Sequence, residues 1–515
     1  MQKSFVCVRR GHIDEKDKMK RDRVYETREP TGGPTMKPIS NIAELRRVMR
    51  RNERPFYFIS ASPFNLMGID EWVGNCRFIS LIDPFDGRHP NVFVPSKIPG
   101  SKLNSIEEIN NHLLKHPEVI DYITKRGGKP IAVFLMFDEI TEKLCKELGI
   151  EIWSPTAKLR QHFDNKIETV RIGNKAGVPS VPNTLARART YKELRSEAEK
   201  AGLGTDLVVQ TRFGDSGRTT FFIASEKDYD RYASTISAEA EVKIMKRINC
   251  RSATMDACIT ASGTLVVPLM TEVIGKPELT PDKGGWAGNE IFAKAFSETI
   301  RAKARDMTCR LGNQLFEEGY LGYFNVDYLI VEETGEVYLG ELNPRISGAS
   351  SLTNHAPFAY ADAPLFLFHL LAFSGIDATL DVEDYNDRWA REESIESWSQ
   401  MIIKSIDDLS GTVIHAPATG IYRMMPDGSV SYHRSADRWQ ETESEEEAFF
   451  LRLTGAGDPI CHGAYHGVLV LRGRVMNDES VLTERARNWI KGIRSLYVSK
   501  RRTKIKRDET PEPDR

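Results

Sequence analysis

The chain predicts an α/β and α+β multidomain fold, and three features carry that expectation. Between residues 41 and 155, short apolar runs alternate with helical patterns, the texture of a parallel sheet wound by helices. At 515 residues the chain exceeds what one hydrophobic core accommodates. Beyond about residue 380 the texture changes to a charged, Trp-bearing stretch and then to closely spaced short strands.

Residues 1–40 turn charged and then Pro- and Gly-bearing ("REPTGGPTMKP"), which predicts a flexible N-terminal arm. In the α/β unit expected over 41–155, "PFYFIS", "CRFISLIDP", "IAVFLMFD" and "IEIWSP" read as strands, and "DEITEKLCKELG" as an amphipathic helix ending at Gly149. A central unit follows over 156–378. Its first helix, in "DNKIETVRIGNKAGVPSVP", has a polar start at Asp164 or Asn165 and a stop at Gly177. "TDLVVQTRFGDSGRTTFFIA" reads as two strands joined by a small polar loop, residues 298–319 as a helix, and "APLFLFHLLAFSG" as a buried helix. "PDKGGWAGNE" (281–290) reads as a Gly-rich loop. A C-terminal α+β unit is expected over 379–498, with strands at "SQMIIKS", "GTVIHA", "GIYRMM", "SVSYHR" and "GVLVLRGRV". It closes with a helix over 479–497 whose stripe is Leu482, Ala486, Trp489, Ile493 and Leu496. Residues 499–515, basic and then acidic with prolines, read as a disordered tail.

The stretch "NVDYLIVEETGEVYLGELNPRISG" (325–348) carries the chemistry. It reads as a β-hairpin, because β-branched and aromatic runs flank a turn where Gly335 supplies a positive φ. With Glu333, Thr334 and Gly335 as the loop, Glu332 faces Glu336, Asp327 faces Glu341 and Asn325 faces Asn343. Alternation then puts Asn325, Asp327, Glu341, Asn343 and Arg345 on one face. Two like charges ~4 Å apart at an effective dielectric of ~20 repel by roughly 4 kcal/mol. Either one acid holds a proton or a cation sits between them, and Asn343 adds a third oxygen suited to Mg²⁺. Pro344 ends the ladder and frees Arg345. Upstream, Gly214, Ser216 and Gly217 would let backbone N–H groups approach phosphate, with Arg218 adding charge, and Lys166 near a helix start favours an anion. Alone, the Gly/Ser loop reads more readily as an ordinary hairpin turn than as a phosphate loop.

Composition bounds the partners. The chain is 40% hydrophobic and 28% charged with a net charge of −2, which gives no global pull toward nucleic acid or an anionic membrane. No apolar run is long enough to span a bilayer, and the N-terminus lacks a signal-peptide pattern, so a cytoplasmic protein is expected. The seven cysteines form no CxxC pair, which argues against structural zinc or a disulfide framework.

In their order, the helix-start lysine, the Gly/Ser loop between strands, and two opposed acids followed by Asn and Arg resemble the ATP-grasp superfamily. The likeness is greatest to the ATP-binding halves of biotin carboxylases and carbamoyl phosphate synthetases, and it runs from about 130 to 375. It implies a Rossmann-like domain before an ATP-grasp domain, a mobile lid over about 184–240, and a smaller C-terminal domain. It also implies ATP and Mg²⁺ as cofactors, two ions with Mn²⁺ an acceptable substitute. Asp327, Glu341 and Asn343 resemble the metal ligands, with Glu341 bridging. Arg345 and Asn343 resemble the catalytic pair, Arg345 holding the transferred phosphoryl group or acyl phosphate. Lys166, Gly214, Ser216, Gly217 and Arg218 resemble phosphate contacts, and Met245, Lys246 and Ile248 of "IMKRI" the hinge that meets adenine.

Gln210 stands where these families usually carry Lys or Arg, which leaves the usual phosphate contact in doubt. "ISGASSLTNH" is nearer the carbamoyl phosphate synthetase form, and Ser347, Gly348, His355 and, further on, Lys404 become candidate substrate contacts. There is no Met-Lys-Met biotin-acceptor stretch and no second copy of the grasp domain. The implied function is a ligase that activates a carboxylate as an acyl phosphate and joins it to an amine, with small-molecule substrates and a homo-oligomer left open. The alternatives are phosphorylation of bicarbonate in the manner of biotin carboxylase or carbamoyl phosphate synthetase, and a non-catalytic ATP-binding module.

Overall fold

The computed structural model describes residues 38–96, 103–214, 219–354, 359, 361–406 and 410–501. Near its start, five parallel strands form a sheet in the order Val92–Phe93, Cys76–Ser80, Phe56–Ser60, Ile131–Phe134, Glu151–Ile152. The central strands are buried on both faces, as near-continuous apolar runs require. Phe56 and Phe58 pack with Leu45 and Met49 of the helix Ile42–Arg50, whereas Tyr57 and Ile59 pack with Leu113, Val119 and Cys145 on the other side. All four strands expected from sequence are present, and the helix Glu139–Glu147 stops before Gly149, at φ +67°.

The central region begins with the helix Lys166–Lys175. Asn165 caps it by accepting a hydrogen bond from the Ile167 N–H at 2.9 Å. A four-stranded antiparallel sheet follows in the order Asn183–Ala186, Val242–Lys246, Leu207–Gln210, Thr220–Ile223. It continues to Lys246, past the expected end of the lid at 240. One of its faces, with Leu207, Val209, Phe221, Ile223, Val242 and Ile244, is covered by the helices Tyr191–Lys200 and Glu226–Ala238. The other, with Val208 and Met245, meets Leu329 and Tyr338 of the hairpin.

An eleven-stranded antiparallel sheet organises the rest. From one edge it runs Glu336–Asn343, Gly322–Val331, Arg251–Thr260, Met270–Ile274, Trp286–Ile291, Trp398–Lys404, Tyr465–Arg472, Glu447–Arg452, Gly420–Met424, Val430–Arg434, with Gly263–Val266 paired to Arg251–Thr260. Helices Glu298–Glu317 and the fully apolar Leu365–Ser374 pack on its central-region strands.

Several boundaries differ from expectation. Gly288 to Ile291 pair with Met401 to Trp398, so the sheet crosses residue 378 without a break and the C-terminal strands share it with the central ones. The expected loop 281–290 holds the start of a strand from Trp286, because Ala287 and Asn289 bury between two neighbouring strands. The last helix is Glu484–Ser495, shorter than 479–497, since Thr483 caps it. Residues 499–501 of the expected tail belong to the strand Val498–Arg501, which pairs with Gly411–His415. At the end of the expected arm, Ile39 is buried and bridges Ala378. The remainder of the arm and tail lies outside the described residues.

Candidate active site

The hairpin Gly322–Val331/Glu336–Asn343 brings Asp327 opposite Glu341 and Asn325 opposite Asn343, as expected, but by a different route. The loop is four residues rather than three, since Val331 and not Glu332 pairs with Glu336. That shift by one is undone by a bulge at Gly340, between the Asp327/Glu341 and Tyr328/Leu339 pairs. The bulge settles a conflict of parity. Val337 and Leu339 bury in the core, and strict alternation would bury Glu341 with them. The extra residue turns Glu341 to the opposite face.

On that face polar residues are locked together. The Thr254 hydroxyl donates to Asp327 Oδ1 at 2.7 Å, and Asn343 Nδ2 donates to Asp327 Oδ2 at 3.0 Å and to Asn325 Oδ1 at 3.1 Å. Asn325 Nδ2 donates to Thr254 Oγ1 and to Asp256 Oδ1, both at 2.8 Å. Arg345 donates to Asn343 Oδ1 at 2.5 Å, and Lys166 forms an ion pair with Glu341. Burial, and then the Glu341 charge, push the Asp327 carboxyl up to about 6. Glu272, on Met270–Ile274, is raised well above the carboxylate range by burial and then by Asp327 and Glu341. The repulsion foreseen between the opposed acids is therefore present, and Lys166 offsets only part of it.

Two carboxylates and an amide oxygen form a hard-oxygen set that suits Mg²⁺ or Mn²⁺. Among the described residues no group of three or more His, Cys, Asp or Glu side chains is arranged to hold a metal by itself. Such a set leaves coordination positions for phosphate oxygens, which is how Mg²⁺ is held in nucleotide sites. A cation there would relieve the repulsion that raises Asp327 and Glu272.

Lys166 is buried at the helix start, and its backbone N–H donates to Arg212 O at 2.9 Å, tying the helix to the chain just past the strand Leu207–Gln210. Met245 is buried on the face of the four-stranded sheet that meets the hairpin, Ile248 packs beside it, and Lys246 is exposed. Gln210 is directly opposite Lys243 and Thr220. Its Nε2 donates to Thr220 Oγ1 at 3.1 Å, while its Oε1 is buried without a partner. Gly214 has φ +151°, and a Cβ there would sit 2.1 Å from Thr219 Oγ1. Ser216, Gly217, Arg218 and His355 lie outside the described residues. The Ser347 hydroxyl donates to Asp256 Oδ1 at 2.9 Å, and its carbonyl accepts from Asn65 of the first domain at 2.8 Å. Gly348 packs under the Trp286 ring, and its carbonyl accepts from Gln400 Nε2 at 2.8 Å. Lys404, four residues along that strand from Gln400, donates instead to the Trp286 carbonyl at 3.2 Å.

Sequence reasoning passed over Lys243, Thr254, Asp256, Glu272, Asn289 and Gln400. Their common signal is a polar side chain inside an apolar strand ("VKIMK", "SATMDACIT", "MTEVI"), which a buried strand admits only when something satisfies it. Asp256 shows the rule. It is fully buried, raised by that burial, and held by Asn325, Ser347 and Thr353.

No family model matches the chain. Among curated proteins, the mitochondrial methylcrotonoyl-CoA carboxylase subunit alpha of Arabidopsis thaliana is 23% identical over 211 residues, which span 40% of this chain and 28% of that protein. Among solved structures, the biotin carboxylase domain of Hydrogenobacter thermophilus 2-oxoglutarate carboxylase, a dimer in complex with MgADP, ADP and bicarbonate, matches with TM-score 0.56 at 12% identity, over 87% of this chain and 91% of that one. Biotin carboxylase of Campylobacter jejuni matches with TM-score 0.56 at 13% identity, over 87% and 92%. The chain thus shares its fold with these biotin carboxylase structures.

Proposed function

We propose that this chain is an ATP-dependent ligase that activates a small-molecule carboxylate as an acyl phosphate and joins it to an amine. The observation that carries the reading is the opposition of Asp327 and Glu341 on one face, with Asn343 bonded to Asp327 and Arg345 beyond the end of the ladder. Asp327, Glu341 and Asn343 would hold Mg²⁺, which neutralises phosphate charge during transfer. In the first half-reaction a carboxylate oxygen displaces ADP from the γ-phosphorus. In the second the amine attacks the acyl carbon, phosphate leaves, and the amine gives up a proton. Lys166 and Arg345 supply positive charge beside the transferred group, and the burial of Lys166 strengthens its share.

The fold likeness to biotin carboxylases favours a second reading, in which the carboxylate is bicarbonate. A coupled ADP-release screen over amino acids, small carboxylates and bicarbonate separates the two. The ligase reading expects release that requires both a carboxylate and an amine and falls at least ~100-fold in Arg345→Ala. Release that needs bicarbonate alone selects the second reading. Substrate-independent release, equal in the variant, overturns both.

A further inference from the structure

The lid carries a buried lysine that has no ion-pair partner among the described residues. Lys243 is 1% exposed, and among the described residues no carboxylate lies within ion-pair distance of it and no hydrogen-bond acceptor takes its amine. It lies on the face of its sheet that meets the hairpin, because it alternates with Val242 and Ile244, which bury under the lid helices, and shares its face with Met245. Its cross-strand partner is Gln210, so the two side chains stand next to each other. Gln210 presents a buried Oε1 without a partner on the same face.

A buried ammonium without an anion is costly, and a fold retains one where a ligand supplies the anion. The charges nearest Lys243 point to which ligand. Glu341 and Lys166 both act on it, the pair at the mouth of the Asp327/Glu341 site. With Lys166 engaged by Glu341, Lys243 is the positive charge left over between the lid and the metal-binding hairpin.

Resting on the ligase reading above, we propose that Lys243 binds the phosphates of the nucleotide from the lid. In this chain the positive charge reaches the triphosphate from the strand next to Gln210. The Gln210 Oε1 accepts from the Lys243 ammonium once a phosphate draws it forward. Burial lowers the Lys243 amine to about 8, so nucleotide binding also takes up a proton above that pH.

Calorimetry tests this with MgATP and with adenosine on the full chain. Wild type should bind MgATP, with net proton uptake at pH 8.5 read from buffers of different ionisation enthalpy. Lys243→Met should weaken MgATP at least ~10-fold, leave adenosine within ~2-fold, abolish the proton uptake and melt no lower than wild type, since it removes an unpaired buried charge. The double exchange Gln210→Lys/Lys243→Gln should restore most of the MgATP affinity. If wild type binds MgATP and Lys243→Met binds it equally with the same proton uptake, Lys243 has no phosphate role while the ligase reading stands. If wild type binds no MgATP, the ligase reading falls and this inference with it. A Lys243→Met protein that loses adenosine and MgATP alike makes Lys243 structural and overturns the proposal.

Discussion

At the scale of single residues the site is a problem of charge. Asp327 is held by one hydroxyl and one amide, from Thr254 and Asn343, and its carboxyl is raised to about 6 by burial and by Glu341. Asp327→Asn keeps the hydrogen bonds available: its oxygen accepts from Asn343, and its amide donates to Thr254, whose hydroxyl turns to the Val326 carbonyl. The variant therefore sheds like-charge repulsion without orphaning a neighbour. Chemical denaturation at pH 7.5 should find it more stable than wild type by roughly 1 kcal/mol, while the Mg²⁺ dependence of ATP binding disappears. A less stable variant that still responds to Mg²⁺ would show that the two acids do not act as one pocket.

At the scale of elements, the hairpin shows what the sequence made legible and what it hid. The opposition of Asp327 and Glu341 was readable because β-branched and aromatic runs flank a glycine turn. The loop length was not, because a three-residue loop with a regular ladder and a four-residue loop with a bulge give the same pairing beyond Gly340. The clue was the apolar parity, Val337 and Leu339 and then Leu342, which changes phase at the lone strand glycine. Parallel strands of the first domain were plain as apolar runs, yet Trp286–Ile291 was hidden, since Gly and polar residues fill a strand whose partners are remote in sequence. Lys243 was hidden for a related reason: its register against Gln210 depends on a pairing across some 30 residues that no local pattern specifies. Deleting Gly340 should turn the bulge into a regular ladder and leave Asp327 facing Glu341. MgATP affinity by calorimetry should then stay within ~10-fold of wild type. A loss beyond ~100-fold would mean that the twist of the bulge, and not the pairing alone, sets the metal pocket.

At the scale of the whole molecule, one buried imidazole joins three parts that the site needs in register. His369, on Leu365–Ser374, accepts from the Tyr323 N–H on Nδ1 at 2.9 Å and donates from Nε2 to the Trp153 carbonyl at 2.8 Å. Tyr323 opens the strand that carries Asp327, and Trp153 follows the last strand of the first domain. Gly322, with φ +90°, allows this approach, since a Cβ there would stand 2.5 Å from the His369 ring. The arrangement needs the neutral ring. Burial pushes its pKa down to about 4, although the bond to Trp153 works against that shift. Between about 6.5 and 4 the unfolded chain binds a proton that the folded one refuses, so the stability from His369 is complete above pH 6.5 and drains away as pH falls toward 4. The full shift corresponds to at most about 3 kcal/mol. Denaturation at pH 7 and at pH 4.5 should show His369→Gln less stable than wild type at the first and closer to it at the second, because the variant has no proton to gain. A gap of the same size at both would mean that the imidazole is protonated in the fold, and the joint between the first domain and the hairpin would then rest on a charged ring.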